Sequence, residues 1–402
     1  MSDFLAQSLA DDPVVITGMG SISGGAASLE ELWAMVLNGQ SAYRTLAGER
    51  DQSFLTSPIE APLQAKGLPG FHKLDRTAQL LWQAVLEATL QHADQLQPQR
   101  TALVVGSSRG SFHKVLEQSK TPRPQPSHAT NTIVSSTAGA IAQHLSLHGP
   151  VESVSTACTS GLTALIRGAE MLILGHADTV IIGAVDSYLH PAVLAPLQAA
   201  GVLGSRQASE HAMRPFSADR NGFVPGEAAC ALVLTRASKA GSPLARVRSW
   251  ASANDTAGRA QLHSDGRTLA RTMTRTCELA QCNPGEIDAL SLHGTATPMN
   301  DAVEAAAYQK VFSETGCRPP AIATKPSTGH CLGATSLLEI ALSVKCLETQ
   351  TLPHVFSTEH LDSELSLDLV LGAARSCSLR LMMSNSTAFW GATASVLLEA
   401  SG

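Results

Sequence analysis

Val154-Ser155-Thr156-Ala157-Cys158-Thr159-Ser160-Gly161 leads from a short strand-like run into a helix. In that helix Leu162, Leu165, Ile166, Ala169, Leu172 and Ile173 recur at spacings of three and four, so they share one apolar face. Gly175 stands where the helix should end. The next apolar run, Thr179-Val180-Ile181-Ile182, is short and β-branched. Strand, turn, helix and strand in this order form the repeating unit of an α/β layered fold.

The same grammar extends in both directions. Val14-Val15-Ile16-Thr17, Ala102-Leu103-Val104-Val105, Ala231-Leu232-Val233-Leu234 and Val396-Leu397-Leu398 are almost continuously apolar. Such runs suit strands covered on both faces. Helical patterns fall at Leu80 to Leu90 and at Ser336 to Leu347, and loops are expected at 58–69, 122–126, 204–215 and 359–364. No fixed-period repeat appears. A fainter echo does: Gly106-Ser107-Ser108 and Gly294-Thr295-Ala296-Thr297 both follow strand-like runs with small and hydroxyl residues.

Apolar residues make up 44% of the 402 positions and charged ones 15%, enough to bury a large core. A net charge of −6 without a long basic run argues against nucleic acid as the main ligand. It leaves room for a local basic patch that docks an acidic partner. No stretch approaches the ~20 apolar residues of a membrane span. Met1 to Asp12 lacks the basic and apolar regions of a secretion signal. Eight cysteines without a CxxC pair fit neither a disulfide scaffold nor a zinc site, so a reducing cytoplasm and no metal are expected.

Cys158 falls at the start of a helix, where free N–H groups and the helix dipole favour a thiolate; a depressed pKa is expected. A lone buried cysteine is more often structural. Two further turns change that balance. His293 lies in Ser291-Leu292-His293-Gly294-Thr295-Ala296-Thr297-Pro298, and His330 in Thr324-Lys325-Pro326-Ser327-Thr328-Gly329-His330-Cys331. Both are small-residue turns after apolar strands, a common way to present an imidazole to a cleft. Of the fourteen histidines, His72, His113, His144, His148, His211 and His354 have no such setting. A cysteine with two histidines supports hydrolysis through a Cys–His pair. It equally supports acyl transfer to cysteine followed by carbon–carbon bond formation, with two imidazoles holding an enolate oxygen.

Four ordered motifs resemble those of elongating β-ketoacyl-[acyl-carrier-protein] synthases. STACTSGLTAL around Cys158 is similar to the family's (D/S)TACSSG. Arg214 to Ala228, RPFSADRNGFVPGEA, resembles RPFDxxRDGFVxGEGA. HGTATPMND from His293 and KPSTGHCLGATSLLE from Lys325 complete the set. The likeness runs from about Val14 to Leu398.

The resemblance implies a thiolase fold: α/β throughout, two similar halves (residues 1–240 and 241–402) in five α-β-α-β-α layers, acting as a dimer. It implies an acyltransferase without a bound cofactor, which extends a fatty-acid or polyketide chain by decarboxylative condensation with malonyl on an acyl carrier protein. Cys158 would accept the acyl group. His293 and His330 would stabilise the enolate, Lys325 would balance charge around His330, and Glu339 would support it. Thr295 and Thr297 would hold the phosphopantetheine arm, and the amides of Cys158 and Phe389 the oxyanion. Both histidines should matter more for condensation than for loading Cys158.

The C-terminal motif departs from the family. NSFGFGGTNA is the usual form; here it is Asn385-Ser386-Thr387-Ala388-Phe389-Trp390-Gly391-Ala392-Thr393-Ala394. Phe389 keeps the gate position, while Ala388 and Trp390 replace glycines. Loss of glycine should stiffen the gate and points to a specialised, polyene- or polyketide-type member, as a homodimer or as one half of a heterodimer.

Three rival readings weigh less. A non-catalytic chain-length-factor-like subunit would lack the reactive cysteine. A nicotinamide enzyme would need GxGxxG, but Gly18, Gly20 and Gly24 are spaced GxGxxxG. A thiolase would need a second cysteine in a glycine-rich loop, and Cys377 has none.

Overall fold

Ten strands form one hydrogen-bonded series in the computed structural model, which describes residues 2–48, 52–65, 70–90, 92, 96–123, 125–204, 209, 211–259 and 261–401. Parts of the expected loops (66–69, 124, 205–208 and 210) lie outside the described residues. In chain order the strands are β1 (Val14–Ser23), β2 (Thr101–Gly106), β3 (Val151–Val154), β4 (Thr179–Asp186), β5 (Ala228–Arg236), β6 (Ala245–Asn254), β7 (Ala289–Ser291), β8 (Ala321–Ile322), β9 (Leu381–Thr387) and β10 (Ala392–Ala400).

Their spatial order is β3-β2-β4-β5-β1-β6-β10-β9-β7-β8. The series reads as two groups of five with the same pairing. In the first, β2 pairs parallel with β3 and β4, β4 antiparallel with β5, and β5 antiparallel with β1. In the second, β7 pairs parallel with β8 and β9, β9 antiparallel with β10, and β10 antiparallel with β6. Among the described strands, Val14–Ile16 pair with Ala245–Val247 and so link the groups.

Helices α1 (Arg76–Thr89), α2 (Ser160–Ile173), α3 (Arg267–Ala280), α4 (Pro298–Phe312) and α5 (Thr335–Thr349) supply the other layers. α1 covers the outer face of the first group, α3 packs on β6 and β10 with α4 beside it, and α2 and α5 lie between the groups. Five layers result, as expected from a thiolase fold.

The strands are buried on both faces for a physical reason. Alternate side chains of one strand point to opposite faces. Leu103 and Val105 therefore join the core under α1, while Ala102 and Val104 join the central core of α2 and α5. Likewise Val396 and Leu398 enter the central core, and Leu397 the core under α3 and α4. Each large apolar side chain fully buried this way stabilises the fold by about 1.5–3 kcal/mol. The central helices approach closely where Gly161 faces α5: a Cβ there would come within 2.7 Å of the Leu337 amide nitrogen.

No helix among the described residues is long and apolar enough to cross a membrane.

Candidate active site

The turn before α2 is built from its own hydroxyls. Ser160 Oγ donates to the Ala157 carbonyl (2.6 Å) and accepts from the Thr156 amide (2.9 Å); Thr159 Oγ1 donates to the Thr156 carbonyl (2.8 Å). Ala157 sits at φ +53°, so the chain turns sharply just before the cysteine. Cys158 precedes the N-cap, Thr159, and is buried. The expected low thiol pKa is not what this setting produces. Burial pushes the Cys158 thiol up to about 12, against the opposing pull of the Lys325 charge. Desolvation penalises a thiolate more than the helix start rewards it, so Cys158 rests as a thiol and needs a base.

His330 is placed to be that base. Its Nε2 lies 3.2 Å from Cys158 Sγ, and its Nδ1 3.1 Å from Thr335 Oγ1. The peptide around it is held on both sides. Its amide donates to the Val224 carbonyl (2.7 Å), and its carbonyl accepts from the Gly226 amide (3.0 Å) and the Tyr188 hydroxyl (2.6 Å). The ring meets Phe223 edge to face at 4.9 Å and the His293 ring at 5.3 Å.

His293 follows β7 and is fixed by α4. Pro298 opens that helix, the Thr297 hydroxyl caps it, and Asn300, Asp301 and Glu304 turn one polar face toward the His293 loop. Glu304 accepts the amides of His293 and Gly294, both at 2.7 Å. Asp301 accepts those of Thr295 (3.1 Å) and Phe216 (2.7 Å). Asn300 ties the set to β9: its Nδ2 donates to Glu304 and its Oδ1 accepts from Thr387. Burial raises Asp301 to about 6; burial and then the Asp301 charge raise Glu304 to about 7.

Lys325 acts on both histidines, by charge on His330 and by charge and contact on His293. Its ammonium bonds His293, not His330: it contacts Nδ1 at 3.1 Å, the His293 carbonyl, and Glu339 at 2.6 Å. An ammonium only donates. The His293 Nδ1 must therefore accept, which puts that ring's proton on Nε2. Burial first, then the Lys325 charge, hold both imidazoles well below their ordinary pKa, so both are neutral. Thr335 Oγ1 already accepts the Cys331 amide at 2.7 Å. If its hydrogen goes to His330 Nδ1, that ring also presents an Nε2–H. Burial raises Glu339 to about 7, opposed by Lys325.

Cys158, His293, His330, Thr295, Thr297 and Phe389 all line one cavity of about 320 Å³. The Thr295 and Thr297 hydroxyls are 2.8 Å apart. Lys325 and Glu339 lie behind the wall, fully buried. Every site residue expected from the sequence is thus in or directly behind one pocket. The sequence reading missed Glu304, Asp186 and Tyr188. Glu304 had a signal: three polar residues at i, i+1 and i+4 after a capped proline form one helix face. Asp186 had none, because its partners come from distant turns: Ser107, the amides of Ser108 and Arg109, and the Gly333 amide.

The Cys158 sulfur and the two ring nitrogens lie within 4.8 Å of one another, a span one cation could bridge. The Lys325 ammonium on His293 Nδ1 opposes it, because it puts that ring's proton on Nε2.

Comparison with known proteins agrees with this geometry. The β-ketoacyl synthase N-terminal domain family matches residues 11–240 and the corresponding C-terminal domain family residues 244–359. A ketoacyl synthase alpha subunit of the tetracenomycin polyketide synthase from Streptomyces glaucescens is 27% identical, covering 97% of both chains. A 3-oxoacyl-[acyl-carrier-protein] synthase 2 from Coxiella burnetii is 28% identical over 96% of this chain and 98% of its own. Among solved structures, the ishigamide ketosynthase/chain length factor superposes with a TM-score of 0.88 at 25% identity, covering 97% of this chain and 100% of that one. A type II polyketide ketosynthase in complex with its acyl carrier protein gives 0.88 at 24% identity, with the same coverage. This chain belongs to the β-ketoacyl synthase family.

Proposed function

We propose that this chain is a catalytic β-ketoacyl-[acyl-carrier-protein] synthase rather than a chain-length-factor-like partner. One observation carries the reading: His330 Nε2 stands 3.2 Å from Cys158 Sγ, with the neutral His293 ring beside it. A non-catalytic subunit has no need of a thiol, a base and a second oriented imidazole around one cavity.

Loading begins as Cys158 Sγ attacks the acyl thioester of a carrier protein. In the tautomer with its proton on Nδ1, His330 takes the thiol proton on Nε2 and returns it to the departing carrier thiolate, so a free carrier thiol and acyl-Cys158 result. Malonyl-carrier then enters. It loses CO2, and the electron pair of the broken C–C bond becomes an enolate whose oxygen lies against the Nε2–H of His293 and, once the ring proton of His330 has moved from Nδ1 to Nε2 and Thr335 donates to Nδ1, against the Nε2–H of His330. The enolate carbon attacks the acyl carbonyl, and the Cys158 sulfur leaves as a thiolate and takes one proton from solvent. Lys325 locks the His293 tautomer throughout. Thr295 and Thr297 offer hydroxyls to the amides of the carrier arm, and the Cys158 and Phe389 amides serve the oxyanion of each acyl step.

The position of His330 alters one sequence expectation. Because it is the base nearest a high-pKa thiol, it serves loading as well as condensation, while His293 serves condensation. The partners we infer are an acyl carrier protein and a second ketosynthase-like subunit, as in the complexes formed by the superposing proteins. The test is intact-mass and peptide mapping after mixing with a panel of acyl-carrier thioesters. An acyl adduct on Cys158 is expected; an adduct on another cysteine, or none with any carrier thioester, overturns the reading.

A further inference from the structure

The turn that carries Phe389 holds an unusual residue. Trp390 adopts φ +66°, ψ 11°, a left-handed conformation that a bulky side chain seldom takes without compensation. Three contacts supply it. The Trp390 amide donates to the Arg259 carbonyl at 2.8 Å. The Gly391 carbonyl accepts from the Asp255 amide at 2.7 Å. The Arg259 guanidinium lies over the indole, 5.4 Å from its centroid. The approach is so close that a Cβ on Gly391 would overlap the Asp255 carbonyl.

The Asp255 side is itself anchored: its carboxylate accepts the amides of Ala257 (2.9 Å) and His263 (3.2 Å). Gln261 and Leu262 line the same cavity as Phe389 and Cys158. Two segments distant in sequence therefore close the outer side of the pocket together, joined by one backbone bond on each side of the turn and one exposed cation–aromatic stack.

We propose that Arg259 and Trp390 form a latch that holds the Phe389 turn against the Asp255 segment, making Trp390 a residue that selects what reaches Cys158. A reagent or acyl chain slim enough to pass Phe389 enters with the latch closed. A bulkier one must displace Phe389, and with it the Trp390 backbone bond and the Arg259 stack. The family motif has glycine at this position, which needs no compensation at positive φ and offers no surface for Arg259. The inference rests on the ketosynthase reading only for the identity of the natural ligand; access to the thiol can be measured without one.

Of the four tryptophans, Trp33, Trp82 and Trp250 are buried and Trp390 is 65% exposed, so solvent quenching of fluorescence reports mainly on Trp390. The experiment alkylates Cys158 in the full-length protein with iodoacetamide and with a bulky aryl maleimide, read by peptide mapping, alongside acrylamide quenching. Breaking an exposed cation–aromatic stack should raise the maleimide-to-iodoacetamide rate ratio by about 2- to 5-fold in Arg259→Ala. Arg259→Lys should lie between the two, and Trp390→Gly should exceed Arg259→Ala. Quenching of Trp390 should rise in Arg259→Ala. An unchanged ratio in both Arg259→Ala and Trp390→Gly, or unchanged quenching in Arg259→Ala, overturns the latch. Should Trp390→Gly fold poorly, Arg259→Ala alone decides. Because no acyl substrate is used, this result is independent of whether Cys158 is acylated by a carrier thioester.

Discussion

In residues 14–236 the strand ends carry Ser107 after β2 and Asp186 at the end of β4; at the matching ends in residues 245–400 stand His293 after β7 and Thr387 at the end of β9. Cys158 precedes α2 where His330 precedes α5. Both halves also hang a strand-end loop on buried carboxylates. Asp186 takes the Ser107 hydroxyl and the Ser108 and Arg109 amides, while Glu304 takes the amides of His293 and Gly294. The frame is the same twice, but only one of the two β2/β7 loops presents an imidazole. Pairing and layers decide where strand ends converge; single residues in the loops decide what is done there.

That contrast can be broken by experiment. Cys158→Ala should abolish acylation. Ser107→Ala, in the loop that matches the His293 loop, should cost about 2–4 kcal/mol of stability through two lost hydrogen bonds, one to Asp186 and one from the Gly110 amide, and leave both half-reactions running. Activity assays beside denaturant melts check this pair. A loss of decarboxylation in Ser107→Ala comparable to that in a His293 variant would mean the two loops are not chemically distinct.

The next effect lies behind the wall. Lys325→Met leaves Glu339 buried and unpaired, which should destabilise the fold by about 3–5 kcal/mol. Adding Glu339→Gln should recover part of that stability. It should not recover decarboxylation, because nothing then fixes the proton of His293 on Nε2. Recovery of both together in the double variant would reduce Lys325 to a structural role.

The pH dependence gives the mildest signature. Both imidazoles have folded pKa values below 6.5, so they stay neutral as pH falls through that value. Decarboxylation should show no acid limb centred near 6.5. Stability contributions run in opposite directions. The histidines contribute stability that is present above pH 6.5 and lost as pH falls toward their folded pKa. Glu304 and Glu339, raised from 4.5 to about 7, favour the folded state below pH 4.5 and lose that contribution as pH rises to about 7. Glu304→Gln should therefore be less sensitive to a rise in pH from 4.5 to 7 than the parent chain, as thermal melts across that range would reveal.

Much of this was legible in the sequence. Continuous apolar runs such as Thr179 to Ile182 announced strands covered on both faces, because each face meets a different core. Cys158, His293, His330 and Lys325 stood out through small-residue turns at strand ends. What local pattern could not supply was the electrostatic balance. Burial of Cys158 outweighs its helix-start position, and that burial comes from segments 172 and 230 residues away, around His330 and Ala388. The charge of Lys325 does bear on His330 as expected, but its hydrogen bond to His293, on the loop after the neighbouring strand β7, had no signal in the local spacing. Trp390 was read as a lost glycine; its compensation by Arg259 depends on a contact 131 positions distant.

The most direct test measures both half-reactions on His293→Ala and His330→Ala: acylation of Cys158 by an acyl-carrier thioester, and CO2 release from malonyl-carrier. The account predicts that His293→Ala still loads Cys158 but releases CO2 on the order of 100- to 1000-fold more slowly, as expected for loss of one oxyanion donor. His330→Ala should be impaired in both, having lost the base 3.2 Å from the sulfur as well as the second donor. Full CO2 release by His293→Ala, or equal loss of loading in the two variants, would contradict the division of labour and favour a single Cys–His pair of the hydrolytic kind.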